Sequence, residues 1–197
     1  MWRISSWDEE SQSGEISGTD VGPLPFEAER RFAVGQHVNA VLEANESGSW
    51  DVLAVEALPQ RKAEGTRLAV FDRVNERAPW DWCIGRMADG TLSLWGSNDF
   101  SYYHTVEVRF HEVSFIQFQA DFSHAHFRLA STSETERFLD LPSWGGHLFC
   151  IVAEHGSDID SRCYFVSATQ VDCRFGTVFY YRRGGLKPGE RIASWVK

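Results

Sequence analysis

Residues 105–129 read Thr-Val-Glu-Val-Arg-Phe-His-Glu-Val-Ser-Phe-Ile-Gln-Phe-Gln-Ala-Asp-Phe-Ser-His-Ala-His-Phe-Arg-Leu. Val106, Val108 and Phe110 alternate with Glu107 and Arg109, the two-residue period of a strand with one dry and one wet face. The alternation slips at His111-Glu112, where two polar residues are adjacent. Apolar residues resume at Val113, Phe115, Ile116 and Phe118, a pattern that predicts a bend or β-bulge. After a turn at Gln119-Ala120-Asp121, Ala125, Phe127 and Leu129 point one way and His124, His126 and Arg128 the other. The stretch is expected to form a core meander, three strands lying side by side.

The flanking sequence repeats this short-strand grammar. His37–Ala44 and Trp50–Leu58 read as a hairpin around Asn45-Glu46-Ser47-Gly48, and Asp81–Met87 and Leu92–Trp95 as another around Asp89-Gly90. Arg67–Phe71 reads as a short strand, and Asp72–Ala78 as a helical turn stopped by Pro79. Ser131 to Glu134 and Ser133 to Glu136 both have capping-box spacing, so a short helix is expected there, ended by Pro142. Leu148–Ala153 is an unbroken apolar run, as in a strand covered on both faces. Arg162–Ala168 and Thr177–Tyr181 flank Asp-Cys-Arg-Phe-Gly as a further hairpin, and Ile192–Val196 is a last strand. Pro25–Ala33 reads as a short helix. The expected fold is mainly β, a curled antiparallel sheet or partly open barrel with two or three short helices. If residues 25–35, 72–79 and 131–141 are all helical, the class becomes α+β.

Three segments are expected along the chain. Residues 1–25, rich in Ser, Gly, Glu and Asp, read as a mobile lead-in; Trp2, Ile4 and Trp7 complicate this, since two Trp would be wasted in a disordered tail, and an added edge strand is the alternative. Residues 26–60 form an N-terminal hairpin unit that either stands apart or joins the main body, and 61–197 form the main β domain. A chain of 197 residues buries roughly 70% of its unfolded surface and needs no disulfide or metal to fold.

Charge and cysteine usage narrow the function classes. The formal net charge is −9 and the pI about 5.2, a surface that phosphate backbones repel, so no nucleic-acid partner is expected. An acidic surface instead suits a protein partner with a basic face. Cys83, Cys150, Cys163 and Cys173 include no C-x-x-C pair, and the N-terminus has no apolar signal core. No run of eighteen apolar residues occurs, so no membrane partner is expected. Together these point to a reducing, cytoplasmic setting with free thiols.

Two side-chain groups carry candidate chemistry. The first is aromatic and acidic: Trp80, Asp81, Trp82, Trp95, Asp99, Tyr102 and Tyr103 fall at the ends of one hairpin and in the loop after it. Rigid amphipathic rings beside carboxylates are the material of protein contact sites, and Trp80, Trp82 and Trp95 also suit a carbohydrate or small-ligand platform. The competing account is a small core beneath a long loop. With no catalytic motif present, this group fits a non-enzymatic binding protein, such as a bacterial immunity protein or inhibitor that occludes the basic cleft of a toxin. The second group is His124-x-His126, two residues that share one face of a regular strand. His111, Glu112, His104 or Asp121 would complete a Zn, Fe or Mn sphere, making a metal-dependent enzyme or metal-binding protein. Here the competing account is a solvent face, since no carboxylate follows His126 until Glu134. Cys150, between Phe149 and Ile151, reads as a buried small hydrophobe rather than a nucleophile. Gly145-Gly146 and Gly184-Gly185 read as turns, with no phosphate-binding motif around them.

Overall fold

A computed structural model describes residues 2–18, 21–29, 31–34, 36–45, 47–56, 68–138, 146–155 and 158–197. Its strands are β1 (Trp2–Asp8), β2 (Ser13–Ser17), β3 (Leu24–Glu27), β4 (His37–Ala44), β5 (Trp50–Glu56), β6 (Asp81–Ala88) and β7 (Thr91–Ser97). They continue with β8 (Tyr103–His111), β9 (Phe115–Gln117), β10 (Asp121–Leu129), β11 (His147–His155), β12 (Asp158–Ala168), β13 (Gln170–Phe179) and β14 (Glu190–Ile192). Two helices, α1 (Ala69–Arg77) and α2 (Thr132–Glu136), complete the described elements. The strands form one sheet in the order β3-β2-β1-β4-β13-β8-β7-β6-β10-β11-β12-β9, with β5 on β4 and β14 on β13. The fold is mainly β, as expected. The sheet is mixed rather than purely antiparallel, because β13 pairs in parallel with both β4 and β14.

The meander is not formed. β8 lies between β7 and β13, β9 pairs with β12, and β10 lies between β6 and β11. The cause is the slip seen at His111-Glu112. Glu112 has φ 50°, and the chain turns a corner there instead of doubling back. Thr169, the single residue between β12 and β13, makes the matching corner on the partner strands. The Thr169 N–H donates to the His111 carbonyl at 3.0 Å, and the Ser114 N–H to the Ser167 carbonyl at 2.9 Å. Two bent ribbons, β8–β9 and β12–β13, thus pair along their length and curl the sheet. The hairpin expected from 162–168 and 177–181 is therefore absent. Its supposed connection is the centre of β13, where Val171, Cys173 and Phe175 face the core.

α1 covers the hollow of the curl. Val70, Phe71 and Val74, spaced for one helical stripe, join the main core, with Phe71 5.7 Å from Phe127 and 5.8 Å from Phe149 between ring centres. The Glu56 carboxylate accepts from the Ala69 and Val70 N–H groups at 3.2 Å each, where an anion suits a helix N-terminus. Asn75 bonds the Phe127 backbone both ways, at 2.9 and 2.8 Å. Helical spacing thus overrides the short strand expected up to Phe71. Pro79 does follow the end of the helix, after a left-handed Ala78.

The N-terminal stretch folds as strands. Trp2, Ile4, Ile16, Leu24, Phe26, Phe32, Val38, Ala40, Leu42 and Val55 make a second core. In place of the mobile lead-in or edge strand expected over 1–25, β1 lies inside the sheet between β2 and β4, with Trp2 only 1% exposed. The helix expected over 25–33 gives way to β3, because Leu24 and Phe26 alternate with Pro25 and Glu27. A proline is tolerated on such an edge strand. β4 belongs to both layers: Val38, Ala40 and Leu42 face the second core, and Val41 the first. The Gln170 amide clamps the Trp2 backbone from both sides, donating to its carbonyl at 3.0 Å and accepting from its N–H at 3.3 Å. The strand expected over 192–196 is not formed: β14 precedes it and ends at Ile192, and the chain then turns at Ser194-Trp195. The expected stop at Pro142 lies outside the described residues. Among the described residues, no helix is long and apolar enough to cross a membrane.

Trp2→Ala removes the largest side chain of the second core. It is expected to cost about 3–5 kcal/mol in denaturant unfolding, the usual range for an aromatic-to-alanine cavity. A change under about 1 kcal/mol would show that this layer contributes little to the fold.

Candidate functional site

The seven aromatic and acidic residues divide among four places. Trp82 is 1% exposed and belongs to the main core, where it lies 4.7 Å from Phe127. The close approach of Gly96 explains this, since a Cβ there would meet the Trp82 ring at 2.9 Å. Trp95 is half-buried on the outer face of β7, stacked at 4.5 Å on His104 and at 5.3 Å on Trp195. Tyr103 is half-buried against Phe179. A joint contact surface of all seven is therefore not formed, nor is a platform of Trp80, Trp82 and Trp95.

Trp80, Asp81, Asp99 and Tyr102 do come together, along one rim of the sheet. Trp80 is 65% exposed and Tyr102 55%. Their backbones are held tightly. The Trp80 N–H donates to Asn98 Oδ1 at 3.0 Å, and its carbonyl accepts from the His124 N–H at 2.8 Å. The Asp99 N–H donates to Ser97 Oγ at 2.9 Å, while that hydroxyl donates to the Tyr103 carbonyl at 2.7 Å. The Tyr180 N–H donates to the Tyr102 carbonyl at 2.8 Å, which sets Tyr181 edge-on to Tyr102 at 6.1 Å. Asp81 accepts from Ser123 Oγ at 3.0 Å. The row continues past Trp80 to the His124 ring, 5.8 Å away, and on to Glu154, 3.9 Å beyond that histidine.

The histidine sphere is not assembled. β6 and β7 stand between β8, which carries His111, and β10, which carries His124 and His126. A register shift between Ser123 and His126, with His124 at φ 50°, also breaks the alternation that would align the two imidazoles. His124 is spent on the rim. His111 is buried, with Nε2 2.5 Å from Asp172 Oδ2, and Glu112 accepts from Thr169 Oγ1 at 2.9 Å. His104 is buried too, with Nδ1 2.8 Å from the Tyr180 hydroxyl and Nε2 2.9 Å from Glu107. Both of its ring nitrogens are engaged, leaving none for a metal. Asp121 opens β10 opposite Cys83.

Behind the rim, the outer face of β8 and β13 carries a row of buried charges. Asp172 is fully buried and faces Arg174 Nε at 3.5 Å through its second oxygen. Burial alone would push its carboxyl up. The His111 hydrogen bond and the charges of His111, Arg174 and Arg109 outweigh that and hold it below the usual carboxylate range. Glu107 is lowered in the same way: burial opposes ionisation, while His104 and Arg191 favour it. Burial raises Cys83 to about 11 and Tyr180 further still, so both stay protonated and neither is a ready nucleophile.

Tyr181 and Trp195, outside the seven residues, are also 41% and 53% exposed. The doublet Tyr180-Tyr181 ahead of Arg182-Arg183 was the available signal, since paired exposed aromatics beside charge are a contact-surface composition. Compared with known proteins, the chain matches no family model, no curated protein and no solved structure.

Because the Asp172 carboxyl is depressed in the folded protein, its pair stabilises the fold above the ordinary aspartate value of about 3.9, and that contribution is lost as pH falls further. Asp172→Asn is expected to cost about 3–5 kcal/mol near neutrality, as for other broken buried pairs. It should also flatten the fall in stability below about pH 4, read by denaturant unfolding across pH. An unchanged acid profile would exclude the pair as its source.

Proposed function

We propose that this protein is a non-catalytic binding protein that captures a basic protein partner through the Trp80–Tyr102 rim, as an inhibitor or immunity-type protein occluding a positively charged cleft. The carrying observation is the exposure of Trp80 and Tyr102 on backbones already fixed by hydrogen bonds, with Asp81 and Asp99 beside them. Large rings held in place lose little conformational freedom on binding, so most of their contact energy appears as affinity. The carboxylates and the net charge of −9 favour a partner of opposite sign and speed its encounter. A catalytic reading gains no support from the thiols, since burial raises Cys83, Cys150 and Cys173. A cytoplasmic setting with reduced thiols fits the four free cysteines.

The test is affinity capture followed by binding kinetics with the partner obtained. Trp80→Ala is expected to weaken binding by about 30-fold or more, the scale of an interface anchor. Asp99→Lys should slow association and reduce its salt dependence. Stability should stay within about 0.5 kcal/mol, because Trp80 is exposed. A partner held equally well by the Trp80→Ala, Tyr102→Ala, Asp99→Lys triple variant would sink the rim as the binding surface.

A further inference from the structure

We propose that Cys150, Cys163 and Glu134 form a binding site for a soft divalent cation of the zinc class, on the outer face of β11 and β12 and independent of the rim. The three side chains come from separate parts of the chain. Val152 is opposite Cys163 and Cys150 opposite Phe165, so the two cysteines are diagonal neighbours on one face of an antiparallel pair. Glu134 arrives from α2. The capping box fixes it there: the Ser131 N–H donates to its Oε2 at 2.8 Å, and its own N–H donates to Ser131 Oγ. The two sulfurs and a carboxylate oxygen lie within 4.8 Å of one another.

The separations suit tetrahedral zinc. With metal–sulfur bonds of about 2.3 Å and metal–oxygen bonds of about 2.0–2.2 Å, ligand atoms stand about 3.5–3.8 Å apart. Cys150 Sγ already lies 3.8 Å from Glu134 Oε1. Cys163 is exposed, which gives the ion a way in and its sulfur room to move, while Cys150 forms the buried floor. Two thiolates and a carboxylate around a divalent ion sum to one negative charge. Arg128, directly opposite Cys150 on β10, supplies the balancing positive charge. Its two terminal nitrogens each donate to a Glu134 oxygen at 2.7 Å and orient the carboxylate, as hydrogen-bond partners behind metal ligands do. The same guanidinium holds Glu134 ionised, at about 2. Burial keeps Cys150 protonated, at about 12, so metal uptake would release its proton. Three protein ligands leave the fourth position to water.

The site uses thiols where the histidine pattern pointed elsewhere, and that difference makes it testable. Full-length, fully reduced protein is titrated with Co2+ as a spectroscopic stand-in for zinc. The expected result is one equivalent bound with a thiolate-to-cobalt charge-transfer band, displaced by Zn2+. Cys163→Ser should abolish the band, whereas His124→Ala with His126→Ala should leave it intact. Because Cys163 is exposed, its serine variant should keep the fold, checked by circular dichroism. Cys150→Ser is the confirming variant if it folds. A missing band in the reduced wild-type protein, or one that survives Cys163→Ser, would overturn the proposal.

Discussion

β13 has no free edge, and the rest of the molecule is arranged around that fact. On one side it pairs with β8. On the other it pairs with β4 over Asp172–Phe175 and with β14 over Thr177–Phe179. A strand saturated on both edges must be buried on at least one face, and Val171, Cys173 and Phe175 supply that face. The parallel pairing with β4 imports the whole N-terminal layer, because β1, β2 and β3 reach the sheet through β4. The corner at Thr169 joins β13 to the preceding β12 and curls the sheet around α1.

The other face of β13 bears charge instead of hydrocarbon. Asp172, His111, Arg174, Glu107 and His104 are taken from water, and each is answered by an opposite charge or hydrogen bond within a few ångströms. Such pairs seldom add net stability over apolar packing, but breaking one leaves an uncompensated buried charge. The N-terminal strands lie against this row: Trp50 sits beneath the Arg174 guanidinium at 5.5 Å, and Gln170 grips Trp2. The row therefore specifies where the second layer docks, a task undirected hydrophobic contact does less well.

The two proposed surfaces arise from different consequences of this frame. Hairpin ends and sheet corners gather at the rim, where ladder bonding stops and side chains such as Asn98 and Ser97 take over the backbone groups. The thiol–carboxylate cluster sits where α2 folds back over β11 and β12, with Phe138 against Phe165 closing one side at 4.9 Å. A rim suits reversible contact with a large partner. A small cluster under a helix suits an ion.

Local chemistry alone determined the strand content, the Asp89-Gly90 hairpin, the Ser131–Glu134 capping box and the break at Glu112, because each depends on residues within a few positions of one another. Trp80, Asp81, Asp99 and Tyr102 were legible as a contact group for the same reason, being close in sequence around one hairpin. Tertiary structure decided the rest. Whether a corner is a bulge between neighbours or a passage to a distant strand depends on pairing energies summed over the whole sheet, so the meander and the 162–181 hairpin were misread. Trp82 became core and Trp80 surface although residues at that spacing share a face within a strand, because β6 begins only at Asp81 and Trp80 lies on the bend ahead of it. Glu134, Cys150 and Cys163 show no motif spacing, since the helix and the two strands that bring them together are joined by the fold and not by the local chain.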